Sequence, residues 1–308
     1  VQTHAVSSSF SSSESWSILS EIERSIKEKI EAVGTPLKDW DIQINYGIKT
    51  GFNDAFIIDS VKRNEILSAC QTEEERQRTA EIIRPILRGR DIKRYCYEWA
   101  ELYIIATFPS RQYDIDNYPT LKEFLLSFGI ERLEQTGKEY IIDGEIVKAR
   151  KKTNNKWFET QDSISYWDEF SKPKIIYPNM TKFLPFAYDT SGLVTNQKCF
   201  IITGKRLAFL TAFLNSSLFK FCFADKFPEL QGRTRELSKI FMDEIPVMEV
   251  NDDDEFRFVM LVEATQRNIS KEKLLEIDNA IFDLYKLTKE EKEHIGFIDF
   301  GDMQSLAQ

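Results

Sequence analysis

Apolar residues recur every three to four positions from Trp16 to Val33. Ile18, Leu19, Ile22, Ile26, Ile30 and Val33 alternate with charged residues, which predicts an amphipathic helix stopped at Gly34. Asp41–Ile44 alternates like a short strand, Tyr46–Gly51 reads as a glycine-flanked turn, and Ala55–Asp59 as a strand. Thr72–Leu87 predicts a helix reaching Pro85. Leu102–Thr107, Lys174–Tyr177, Phe186–Tyr188 and Cys199–Thr203 are short apolar runs expected to be buried strands. Leu121–Leu133 and Lys205–Phe223 are each expected to be one helix, the second with Leu207, Leu210, Phe213, Leu214 and Leu218 on one face. Asn251–Glu255 reads as an acidic loop, followed by helices over Phe256–Lys273, Glu276–Leu287 and Lys289–His294. The expected fold is α+β. A mixed curved sheet with peripheral helices and long loops spans residues 16–248, and a small C-terminal helical appendage spans 249–308.

Charge changes this picture. The 308 residues carry 41 Lys+Arg against 50 Asp+Glu, a net charge of −9, which argues against a generally basic nucleic-acid binder. The acidity is concentrated: residues 249–308 hold fifteen acidic and seven basic side chains, so the rest of the chain is nearly neutral and has room for local basic clusters. Residues 1–15 are serine-rich without an apolar core. A flexible linker is expected there, not a secretory leader. The chain does not begin with Met, and a fragment of a longer protein is expected. Cys70, Cys96, Cys199 and Cys222 are too scattered for a zinc knuckle and read as reduced thiols of a cytoplasmic protein.

Catalytic signatures are missing. The sequence has no Gly-x-Gly-x-x-Gly, no Walker-type phosphate loop and no Pro-Pro dipeptide, so the Asp/Asn-Pro-Pro-aromatic loop of an amino-methyltransferase is absent. His4 and His294 stand at opposite ends and cannot supply a histidine-based triad. Glu290-Glu291-Lys292 matches half of a nuclease motif but has no upstream partner Asp in a strand. No catalytic activity of this chain alone and no bound metal are expected.

Four segments carry binding chemistry. In the first, glycines flank Lys49-Thr50, with Asn53 just beyond. Such a turn suits a phosphate, or is a hairpin corner in which Lys49 is merely solvated. In the second, Arg88, Arg90, Lys93 and Arg94 cluster around Gly89. They meet an anion, or pair with acids such as Asp91 and Glu98. In the third, Lys148, Arg150, Lys151, Lys152 and Lys156 surround Asn154 and Asn155, either facing nucleic acid or forming a merely exposed basic loop, with Trp157-Phe158 expected to return to the core. Lysine and arginine neutralise phosphates, and asparagine pairs with adenine. The fourth holds Arg233 and Arg235, compatible with phosphate contacts or with helix capping. Lys182 is a further candidate cation. Several separated basic, amide-rich loops on a neutral body fit a duplex-binding module better than an enzyme.

The order of motifs resembles the TaqI-like C-terminal specificity domain, the target recognition domain of adenine-specific DNA methyltransferases and single-chain type II restriction–modification enzymes. The resemblance rests on Gly47–Asp59, Arg84–Tyr95, Tyr118–Leu125, Trp157–Glu159, Lys172–Ile176, Leu214–Leu218, Glu244–Pro246 and the tail Ile277–Glu291. It implies a chain that reads a short duplex sequence and presents its adenine to an N-terminal methyltransferase domain, with a nuclease domain in fused enzymes. S-adenosylmethionine and base flipping would belong to those other domains. The resemblance places the Gly47–Gly51 turn and the Arg88–Arg94 segment near the DNA backbone. Half of a type I specificity subunit and a protein-docking module of a restriction complex are the alternatives.

Overall fold

The computed structural model describes residues 19–297 and divides into two compact units. Ile42–Leu207 form one; residues 19–41 with 208–297 form the other. The expected serine-rich linker at 1–15 lies outside the described residues. The division expected at residue 248 is not where these units part. The first helix and the segment from 208 to 248 pack with the C-terminal helices, because apolar surface and not charge decides what buries together.

Within Ile42–Leu207 the strands form several small sheets. One has the order Ala187–Asp189, Lys174–Pro178, Cys199–Gly204, Ile42–Tyr46 and is antiparallel throughout, with Ile201 opposite both Ile176 and Asn45. A second has the order Val194–Thr195, Ile83–Leu87, Leu102–Ile105, Ile57–Asp59, and its first pair is parallel. Successive strand residues point to opposite faces. Ile104 therefore joins a core with Ile86, Ile176, Ile201 and Phe170 between the two sheets. Ile105 joins Ile58, Ile66, Leu121, Leu125 and Phe158 under the helices. Those helices are Ser60–Ala69, Glu73–Ile82 and Pro119–Leu126. Glu139–Ile142 and Glu145–Lys148 form a separate hairpin.

Several expected elements change at identifiable residues. The helix expected over Thr72–Leu87 ends at Ile82, and Ile83–Leu87 is a strand that admits Pro85. Leu121–Leu133 is two short helices parted at Gly129, whose φ of 86° no helix accepts. Ala55–Asp59 starts as a helical turn, Asn53–Phe56, before the strand Ile57–Asp59.

In the other unit, Glu21–Val33 is a helix with a reciprocal cap between Ser20 and Glu23. It ends where the backbone turns extended at Gly34 (φ −84°, ψ 134°), and glycine stands there for want of room: a methyl group would lie 2.7 Å from Pro246 Cβ and 2.8 Å from the Ile30 carbonyl oxygen. The apolar segment expected as one helix is two, Leu207–Leu214 and Ser217–Phe223. Ser216 caps the second, and Asp278 accepts from the Ser217 N–H at 2.8 Å. Residues 252–255 are not a loop but the first turn of helix Asp252–Arg267, where four carboxylates meet the positive end of the helix dipole. Glu255 also accepts from the N–H groups of Ala208 and Phe209, satisfying the start of a neighbouring helix. Among the described residues no single helix is long and apolar enough to cross a membrane. The Leu207–Leu214 and Ser217–Lys226 pair passes together but bends by 65°.

Candidate nucleic-acid interface

The loop carrying Lys49 is pinned by its backbone. Gly47 N–H donates to Cys199 O at 2.9 Å and Ile48 N–H to Thr195 O at 2.7 Å, so these two amides are engaged and offer nothing to an anion. A methyl group at Gly47 would lie 1.9 Å from the Asn196 carbonyl oxygen, which requires glycine there for close approach. Gly51 has a φ of 79°, the conformation glycine adopts without strain. Thr50 is buried: its hydroxyl donates to Asn53 Oδ1 at 2.7 Å and accepts from Phe52 N–H. Thr50 therefore shapes the loop instead of meeting a phosphate. Lys49 is half-buried and Asn53 exposed.

Arg150 overturns the simplest reading of the third segment. It is 4% exposed, and its guanidinium donates five hydrogen bonds of 2.6–2.9 Å to four main-chain carbonyls, those of Leu133, Thr50, Trp157 and Glu159. It also lies over the Phe56 ring at 5.0 Å. Burial pushes its pKa down to about 10, opposed by the nearby Glu159 charge, so it remains protonated at neutral pH. A planar fork of five donors is the side chain suited to gathering carbonyls from separate loops. Asn155 is likewise internal, its amide donating to Thr160 O and Gln161 O. Gln135 holds the same segment by bonding Lys156 O, Glu159 O and the Thr153 hydroxyl.

What this scaffold exposes is Lys151, Lys152, Asn154 and Lys156. Lys148 is also exposed but pairs with Glu139 across the hairpin at 2.9 Å. Gln161 N–H donates to Lys49 O at 3.0 Å, which brings the first segment beside the third. Asp162 follows Gln161 in this stretch, and both segments bear on its charge. Burial raises the pKa of its half-buried carboxyl, while Lys49 and Lys151 pull the other way. Tyr166 is pushed up to about 12 by burial, with the Asp162 and Tyr46 charges adding to the effect. Lys49 and Lys151, 102 positions apart in the chain, thus act on one carboxylate.

The second segment is mostly consumed internally. Arg88 holds Asp91 through Nε and Nη2 at 2.7–3.2 Å, and Asp91 accepts the Arg88 N–H in return. Arg94 is 7% exposed with its guanidinium over Tyr95. Lys93 lies 3.8 Å from Glu98. Only Arg90 of the four is exposed. Gly89 packs near the Lys198 carbonyl, and Asn179 N–H donates to that same carbonyl at 2.8 Å. The exposed Lys198 and Lys182 therefore belong to neighbouring turns. Lys198 stands alone between neutral residues in sequence, where a search for basic clusters passes over it.

In the other unit, Arg235 is occupied by Ala224 O, Phe227 O and Asp225 at 2.6–3.0 Å, so it braces its own loop. Arg233 is exposed, with a φ of 61°. Among the described residues no group of three or more His, Cys, Asp or Glu side chains is placed to hold a metal ion.

The family profile described as TaqI-like C-terminal specificity domain matches residues 84–247, more than half of the chain. No curated protein matches in sequence. Among solved structures, the fold is similar to that of the type IIG restriction endonuclease BpuSI, with a TM-score of 0.50 and 12% identity over 86% of this chain and 33% of that one. The type IIL restriction–modification enzyme MmeI, solved in complex with DNA, aligns with a TM-score of 0.49 and 11% identity over 89% of this chain and 37% of that one. The chain spans about a third of the length of these proteins.

Proposed function

Because the chain belongs to the TaqI-like C-terminal specificity domain family, we propose that it reads a short sequence in double-stranded DNA on behalf of a methyltransferase domain, within a cytoplasmic restriction–modification enzyme. The observation that carries this reading is the joining of the Lys49 and Lys151 loops, which Arg150 ties together through Thr50 O and Glu159 O and Gln161 N–H ties again through Lys49 O. Loops held from beneath by a buried guanidinium present exposed cations at fixed spacing, which is what a phosphate backbone of regular geometry rewards. Lys49, Lys151, Lys152 and Lys156 would neutralise phosphates. Asn154, exposed beside them, has the donor–acceptor pair that matches adenine, while Asn53, whose Oδ1 accepts the Thr50 hydroxyl, would offer its amide N–H groups. Arg90, Lys182 and Lys198 would extend the contact along the duplex.

The chemistry lies elsewhere in this account. An adenine-specific methyltransferase domain, and in a fused enzyme a nuclease domain, would supply S-adenosylmethionine binding and cleavage. This chain would set where they act.

Selection of bound duplexes from a random pool tests the proposal. The expected result is enrichment of one short motif by the 308-residue chain. A pool recovered without sequence bias, from a folded chain, would refute sequence reading.

A further inference from the structure

We infer that Arg111 is a DNA-contacting residue, preorganised on Trp167 to donate two parallel hydrogen bonds to a duplex. The inference rests on the reading of the chain as a DNA reader and adds a contact that no cluster of basic residues announces.

Arg111 ends a single turn of 3-10 helix, Pro109–Arg111, which Gln112 closes in the left-handed region at a φ of 51°. The turn is fastened to the segment after Asp162: Ser110 N–H donates to Ser163 O at 3.1 Å and the Ser110 hydroxyl to Ile164 O at 2.8 Å. Because Gln161 N–H donates to Lys49 O, this stretch runs from the Lys49 and Lys151 cations to the Arg111 turn within a few residues.

The side chain rests over aromatic rings. The guanidinium carbon lies 3.9 Å from the centre of the Trp167 ring and 5.9 Å from that of Tyr113. A guanidinium that close above an indole is engaged through cation–π attraction, which uses none of its N–H donors. Arg111 is exposed, yet among the described residues its guanidinium makes no ion pair and no hydrogen bond. Other arginines of this acidic chain lie on carboxylates: Arg76 on Glu73, Arg88 on Asp91, Arg235 on Asp225, Arg267 on Glu263. An exposed arginine whose guanidinium rests over an indole loses less freedom on meeting a ligand than a loose one.

A planar fork needs two acceptors side by side. Duplex DNA offers them in two places, the O6/N7 edge of guanine and the paired oxygens of a phosphodiester. The shared chemistry is bidentate acceptance, and the experiment separates the sources.

Fluorescence anisotropy on the 308-residue chain with its selected duplex, and with duplexes altered one base pair at a time, tests the inference in Arg111→Ala and Arg111→Lys. Arg111→Ala is expected to weaken binding about tenfold, the effect of losing one bidentate contact. Arg111→Lys keeps the charge without the fork and is expected to recover only part of that. A guanine contact shows as lost preference at one base pair. A phosphate contact shows as uniform weakening with a salt slope about one unit shallower in the alanine variant. Unchanged affinity and preference in a folded Arg111→Ala variant, or full rescue by lysine, would overturn the inference while leaving the DNA-reading role intact. A chain that binds no duplex at all, unaltered, would overturn both.

Discussion

Replacing Arg150 with alanine removes the side chain on which the exposed cations depend without touching any of them. Five hydrogen bonds to four carbonyls vanish, and the Thr50, Leu133, Trp157 and Glu159 oxygens lose a charged donor in a place that is 4% exposed. A hydrogen bond to a charged group contributes about 1.5–3 kcal/mol net, and the contributions of one guanidinium do not add. Water entering the space left behind would satisfy some of the carbonyls. The balance is a loss of about 3–5 kcal/mol, within the range for breaking a buried ionic network. At about 2–4 °C per kcal/mol for a chain this long, that is a fall of roughly 10 °C in melting temperature. Arg150→Lys, with charge but no fork, should recover less than half. Urea denaturation followed by circular dichroism measures it: the midpoint should fall with the slope unchanged. DNA affinity should fall together with the order of the loops, even at temperatures where both variants remain folded. A loss below about 1 kcal/mol would refute the view that Arg150 organises these loops.

Gly47→Ala forces a methyl group against the Asn196 carbonyl oxygen and should destabilise the chain by about 3 kcal/mol or more, read as a lowered melting temperature. Replacing Lys151 and Lys152 with glutamate should weaken duplex binding at least about tenfold in anisotropy while leaving the melt unchanged, since both are exposed. Lys49→Ala should weaken binding to all sequences alike, without a change of preference in the selection assay. Glu291 is buried, which raises its pKa, but bonds from Lys29 Nζ, Thr288 N–H and the Ser25 hydroxyl outweigh this and hold it below its ordinary value of 4.5. Its stabilisation is therefore present above the unfolded pKa and is lost as pH falls through the folded one. Acid denaturation of the Glu291→Gln variant should show a weaker pH dependence below about pH 4.5 than the unaltered chain.

Periodicity revealed the buried strands. Lys174–Pro178 and Cys199–Gly204 stand within a residue of the runs that predicted them, because short apolar segments of β-branched residues have few other places to go. Helix breaks were harder to read. Asn215-Ser216 interrupts an apolar run without glycine or proline, and the break depends on Asp278, 61 residues away, accepting from Ser217. The acidic run at 252–255 was legible as charge but not as a helix start, which needs the Asn251 cap to be seen in place. At the candidate interface, sequence marks where cations cluster but not which of them face inward. Arg150 and Lys151 are neighbours in the chain, one buried under carbonyls and the other exposed, and only the fold separates the brace from the contact. Arg111 was invisible for the opposite reason, being isolated in charge and given meaning by Trp167, 56 positions on.

The dependence of duplex affinity on salt addresses the central claim most directly. If Lys49, Lys151, Lys152 and their neighbours meet phosphates, the logarithm of the association constant should fall linearly with the logarithm of salt concentration. The slope should be about −0.9 for each phosphate neutralised, so several units in all. A slope near zero between low and moderate salt, in a chain that binds DNA, would contradict it.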